Sequence, residues 1–193
     1  MNHHRLNSTR LLAPLAAIGL SLMITGTGLV APAAAMGDEQ AGQTQFLRAP
    51  WKLRWRTYYS TVFDRGGEYY VTIEMPEEAG AGLGALEIRQ ISGADWRFSF
   101  DDSRTRAFLG QPRREGPPVP VQASFNDASR LFRITFPSPP APGQTVTVAL
   151  RPWSNPSSAD VYQFSVVAFP AGPNPVAQQV GIARMSIYPP VDF

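Results

Sequence analysis

Polar and apolar residues alternate along much of the chain. Trp51, Leu53 and Trp55 alternate with Lys52, Arg54 and Arg56; Tyr69, Val71, Ile73 and Met75 with Tyr70, Thr72 and Glu74; Trp96, Phe98 and Phe100 with Arg97, Ser99 and Asp101. A period of two puts each set on one face of an extended segment, the pattern of a half-buried strand. Ala85–Gln90, Val119–Phe125, Leu131–Phe136, Thr145–Arg151, Val161–Phe169 and Gly181–Tyr188 continue the series, and the last two, the most apolar, are expected at the centre of a sheet. Asp64-Arg65-Gly66-Gly67 and Asn126-Asp127-Ala128-Ser129 read as hairpin turns, and Pro137–Gly143 and Pro170–Pro175 as rigid loops. A helical turn is expected only at Pro76–Ala79 and Pro175–Val180. Short strands separated in this way predict an all-β fold, a single immunoglobulin-like β-sandwich of about eight or nine strands over residues 48–190.

The chain begins differently. Met1–Arg10 is polar and carries Arg5 and Arg10 without an acid, Leu11–Val30 is apolar, and Ala31-Pro32-Ala33-Ala34-Ala35 supplies small residues. That order predicts a secretory signal peptide over residues 1–35, cleaved after Ala35. With no paired arginines before the apolar core, the general secretory route is expected. The destination is the periplasm or cell envelope, with the thylakoid lumen as the other option, and no transmembrane segment after cleavage. Residues 36–47 read as a polar, disordered tether.

Removing the signal changes the chemistry on offer. The full chain holds 17 Lys+Arg against 15 Asp+Glu; loss of Arg5 and Arg10 equalises them at 15, so a basic partner surface for nucleic acid is not expected. Both histidines, His3 and His4, lie in the signal, and the sequence has no cysteine. Ser-His-Asp and Cys-His catalysis, ordinary zinc, copper and haem sites, and disulfides are therefore excluded from the mature part. No cofactor is expected. Carboxylate chemistry, oxygen ligation of a hard cation, or no catalysis remain.

Candidate sites follow from what is left. Lys52, Arg54 and Arg56 share one strand face and form a cationic stripe for an anionic glycan or lipid headgroup; the alternative is an edge strand blunted with charge. Arg104 and Arg106 flank Thr105, and Arg151 and Arg184 interrupt apolar strands, either tying a loop to the sandwich or forming an anion pocket. Asp101 and Asp102, with Asp95 upstream, offer oxygens to calcium, or else accept turn amides and pair with Arg104 or Arg106. Gly80-Ala81-Gly82-Leu83-Gly84 resembles a phosphate loop only in composition, because a strand rather than a helix is expected after it.

Tyr69-Tyr70-Val71-Thr72-Ile73, the run Phe98–Phe108, Leu150-Arg151-Pro152, Val161–Phe164 with Ala168–Gly172, and the closing Gly181–Tyr188 resemble the cyanobacterial exported proteins that carry domain of unknown function 2808. The resemblance covers residues 48–188. It implies an exported protein without an established activity and supplies no catalytic residue; the segment Asp102–Arg106 is longer than the family pattern. The leading functional expectation is a non-catalytic envelope module that binds a partner protein or glycan, or serves a structural role. The alternatives are a carboxylate-dependent glycan hydrolase, pairing Asp101 or Asp102 with Glu74 or Asp160, and a periplasmic carrier or chaperone.

Overall fold

Residues 42–190 are described by the computed structural model; the expected signal peptide and residues 36–41 of the expected tether lie outside the described residues. The chain forms strands β1 (Lys52–Thr57), β2 (Tyr69–Glu74), β3 (Leu83–Ser92), β4 (Arg106–Gln111), β5 (Arg114–Val119), β6 (Gln122–Asn126), β7 (Leu131–Thr135), β8 (Thr145–Leu150), β9 (Asp160–Pro170) and β10 (Gln178–Ile187), of which β4 and β5 fall outside the alternating segments. They build two antiparallel five-stranded sheets, ordered β1-β2-β8-β4-β5 and β10-β9-β3-β7-β6. The series β1-β2-β8-β4 against β10-β9-β3 reproduces the four-and-three arrangement of an immunoglobulin domain, with β5, β6 and β7 inserted between the fourth and fifth strands of that plan. The fold is thus an all-β, immunoglobulin-like sandwich, with ten strands rather than eight or nine. Tyr162, near the start of β9, donates its hydroxyl to the Ser158 carbonyl at 2.8 Å, the corner contact characteristic of this architecture.

The core lies between the sheets. Tyr69, Val71, Ile73, Val146, Val148 and Leu150 point inward from the first, and Leu86, Ile88, Phe132, Ile134, Phe164, Val166, Met185 and Ile187 from the second. Each set follows the period of two that the sequence carries. The outer face of the first sheet is also covered at its middle. Thr72 and Thr147 are buried there, their hydroxyls 2.8 Å apart, and Thr147 Oγ1 donates to the Gly110 carbonyl at 2.7 Å. The β4–β5 hairpin bends over this face, bringing Arg113 at its tip to 3.8 Å above the Tyr58 ring.

Several expectations are corrected. Trp96–Phe100 is not a ladder strand: the Asp95 carboxylate takes the Arg97 N–H, Arg130 donates to the Phe98 carbonyl and Trp153 N–H to the Ser99 carbonyl. Side chains and loop backbone thus satisfy its polar groups in place of a neighbouring strand. Val119–Phe125 breaks at Pro120-Val121, where the chain passes from one sheet to the other. β10 is an edge strand, whereas β3 and β8 are central. Pro175–Val180 is not helical, since Pro175 bridges Thr44 and β10 starts at Gln178; the other expected turn is a 3-10 helix, Glu77–Ala79. Phe46 is buried, so the domain begins before residue 48.

Candidate binding surface

One end of the sandwich gathers the β1–β2, β3–β4 and β8–β9 loops. Buried polar side chains hold them together. Asn155 is 1% exposed; its Oδ1 accepts the Tyr69 hydroxyl at 2.7 Å, and its Nδ2 donates to the Tyr59 and Thr61 carbonyls. Asp95 accepts the Arg97 N–H on one oxygen, and the Ser157 N–H and hydroxyl on the other, each at 2.7 Å. Burial pushes the Asp95 carboxyl up, but the donors from Ser157 and Arg97 more than offset it, leaving it below the usual carboxylate value. Arg130, with a positive φ of 56° at the end of the β6–β7 turn, inserts its guanidinium between Phe98 and Phe125, 5.0 Å from each ring centroid, and donates to Gln90 and Asp127. Burial lowers its pKa from the ordinary arginine value. Sequence reading missed Asn155's part in bonding and all of Arg130's; a lone Arg after a turn carries no local signal of burial.

This rigid end is apolar at its surface. Ten large apolar side chains are exposed among the described residues, and seven of them (Tyr59, Phe63, Ile91, Trp96, Trp153, Val161 and Tyr188) lie in these loops or at the adjoining strand ends. Phe63 is 63% exposed and Trp153 62%, yet the backbone N–H of each is bonded, to Pro156 and Ser99 respectively. The two exposed rings thus stand on loop backbone that is hydrogen-bonded to a neighbouring loop.

The cationic stripe divides. Lys52 and Arg54 both reach Glu74, at 2.9 and 3.2 Å, because the register sets Lys52 opposite Glu74 on β2. Arg56 has no carboxylate partner among the described residues and lies 5.9 Å from the Tyr58 ring. Arg184, exposed on β10, lines one cleft together with Arg56, Trp55, Tyr58, Ser60 and Tyr188. The remaining arginines take other positions. Arg106 makes two-pronged contacts with Glu68 and Glu115; burial pushes Glu68 up, but Arg106 and the Tyr70 hydroxyl bring it below its usual value. Arg151 donates to the Gly66 and Arg65 carbonyls, joining the end of β8 to the β1–β2 loop. Arg104 is exposed at the end of the short 3-10 helix Asp102–Arg104.

The candidate acids have separate partners. Asp101 Oδ1 accepts the Ser103 hydroxyl and Asp102 Oδ2 the Phe125 N–H. Glu74 faces Lys52 and Arg54, and Asp160 caps its own strand by accepting the Val161 N–H. Among the described residues, no three acids, cysteines or histidines cluster in a way that could hold a metal ion. No described helix is long and apolar enough to cross a membrane.

Solved structures that are similar in fold share little sequence with this chain. The major pilin subunit BcpA of Bacillus cereus is similar in fold, with a TM-score of 0.48 and 9% identity over 74% of this chain and 41% of that one. Domains D2 and D3 of the major pilin SpaD of Corynebacterium diphtheriae give 0.45 and 9% over 69% and 51%, and the collagen-binding domain of a Staphylococcus aureus adhesin 0.42 and 7% over 70% and 96%. The chain spans about two-fifths of the BcpA pilin. No curated protein matches it. Residues 43–187 match the family described as "Protein of unknown function (DUF2808)", and the chain belongs to that family.

Proposed function

We propose that this protein is an exported, non-catalytic β-sandwich module of the cell envelope, which holds an envelope component through its braced loop end. The observation that carries the reading is the coincidence of buried polar anchors with protruding rings. Asn155 and Asp95 fix three loops from beneath, and Trp96, Trp153, Phe63 and Tyr59 stand out from the same loops. Exposed aromatic rings on a rigid support lose little conformational freedom on binding, which favours recognition. Export rests on the sequence of residues 1–35, whose charged, apolar and small-residue zones follow the order of a cleavable secretory signal.

Fractionation of cells producing the tagged chain tests both parts. Mass spectrometry of the isolated protein should find a mature N-terminus at Met36, and washed envelope should retain the protein. Trp96→Ala with Trp153→Ala should release it into the soluble fraction without changing its thermal transition. An intact Met1 terminus on cytoplasmic protein would refute export. Equal retention of the double variant would refute the loop end as the contact surface.

A further inference from the structure

Beside the loop end, the two sheets part along one flank. β1 pairs only with β2, and β10 only with β9, so their free edges face each other. The edges approach at Leu53 and Gly181, where a Cβ on the glycine would sit 3.5 Å from Leu53. They are tied again at the loop end, where Tyr188 N–H donates to the Ser60 carbonyl and Val62 N–H to the Tyr188 carbonyl, at 2.7 and 3.0 Å. Between these two points lies an open cleft of about 390 Å³, lined by Trp55, Arg56, Tyr58, Arg184, Met185 and Tyr188 with the hydroxyls of Thr57, Ser60 and Ser186.

The lining is one-sided in charge. Its lining residues include two arginines and no acid. Neither Arg56 nor Arg184 has an acidic partner among the described residues, and Arg113, stacked on Tyr58, adds a third unpaired cation beside the rim. Trp55 stacks on Phe164 with its ring centroid 4.4 Å away, but its indole N–H is buried without an acceptor. The exposed Tyr188 ring and the half-buried Trp55 ring therefore lie beside the two arginines that lack acidic partners. A bare oxyanion would meet the arginines and leave the rings idle. The volume falls in the range of small-molecule sites, about 300–1,000 Å³.

We infer that this cleft binds an anionic sugar unit, carrying a carboxylate or a sulfate, at the end or side of an envelope polysaccharide. Arg56 on β1 and Arg184 on β10 supply positive charge at the two rims of the cleft, the hydroxyls meet the ring oxygens, and the Tyr188 and Trp55 rings pack on the sugar's C–H face. The inference rests on the module reading above and gives the module a charged ligand beside its loop end.

Calorimetric titration of the purified protein with a tri-uronate, a sulfated trisaccharide and a neutral trisaccharide tests it. At least one anionic probe should bind, more weakly at high salt as its charge is screened, and the neutral one should not. Arg56→Gln and Arg184→Gln should each lower affinity by about ten- to a hundredfold, while Arg89→Gln, on an exposed arginine outside the cleft, leaves it unchanged; circular dichroism confirms that each variant folds. Equal binding of the neutral probe, unaltered affinity in both cleft variants, or response only to anionic lipid vesicles would overturn the proposal. If Arg56→Gln/Arg184→Gln protein stays on the envelope while Trp96→Ala/Trp153→Ala protein is released, the cleft assignment fails and the module reading stands.

Discussion

Asp95 carries an ionised carboxylate through the base of the loop end, with one oxygen bonded to Arg97 and the other to Ser157. Its bonds outweigh the burial that opposes the charge, so the folded protein holds this carboxyl below its ordinary value. A depressed pKa contributes stability above the unfolded-state value, near 3.9, and loses that contribution as the pH falls towards the folded-state value. In Asp95→Asn an amide N–H₂ would oppose either the Arg97 or the Ser157 donor. The variant should be less stable than the wild type by about 1–3 kcal/mol at pH 7. Urea denaturation at pH 7 and at pH 3 measures the difference, which should shrink at the lower pH. A gap of unchanged size at pH 3 would mean that the carboxylate's charge has no part in bracing the loops.

The β4–β5 hairpin depends on one residue without a side chain. Gly110 sits at a register shift between the strands with a φ of 96°, and a Cβ there would lie 2.7 Å from the Arg114 carbonyl oxygen. Gly110→Ala should destabilise the protein by about 1–3 kcal/mol, and hydrogen exchange should quicken in β5 before it does in β9. Uniform quickening would show that the hairpin does not move by itself. These two strands were also the ones that sequence reading missed. In β4, Ala107 and Phe108 are both buried although they point to opposite faces, so alternation vanishes where the hairpin roofs the sheet. In β5, Pro117 and Pro118 suggest a loop, and the sheet tolerates them because β5 is an edge. By contrast Tyr69, Val71 and Ile73, and the turn before Arg130, were legible because their environment follows from neighbours in sequence. The binding surface was legible only in part for the same reason. Lys52, Arg54 and Arg56 are visible as a stripe, but the register with Glu74 that neutralises two of them, and the approach of Arg184 from β10, are set by pairing between distant segments.

With no cysteine in the sequence, the sandwich is held closed by its core, and aromatic rings run through that core without a break. Trp55 stacks on Phe164 and touches Tyr69; Tyr69 meets Phe100, which contacts Phe98, Phe125 and Phe132. Phe100 thus joins β2 of the first sheet to β6 and β7 of the second, and to the segment that carries Asp95 and Trp96. Its edge-to-face contacts, with ring centroids 4.8–5.9 Å apart, contribute beyond simple burial. Phe100→Ala opens a cavity where the two sheets and the loop end meet, and should destabilise the protein by about 3–5 kcal/mol. Because one core serves both sheets, unfolding should remain a single transition. Tryptophan fluorescence, which includes Trp55 between the sheets, and far-ultraviolet circular dichroism should give the same urea midpoint in the wild type and the same lower midpoint in the variant. Separate midpoints in the wild type would mean that each sheet is stable without the other; their appearance only in Phe100→Ala would identify this ring as the coupling between sheets and loop end.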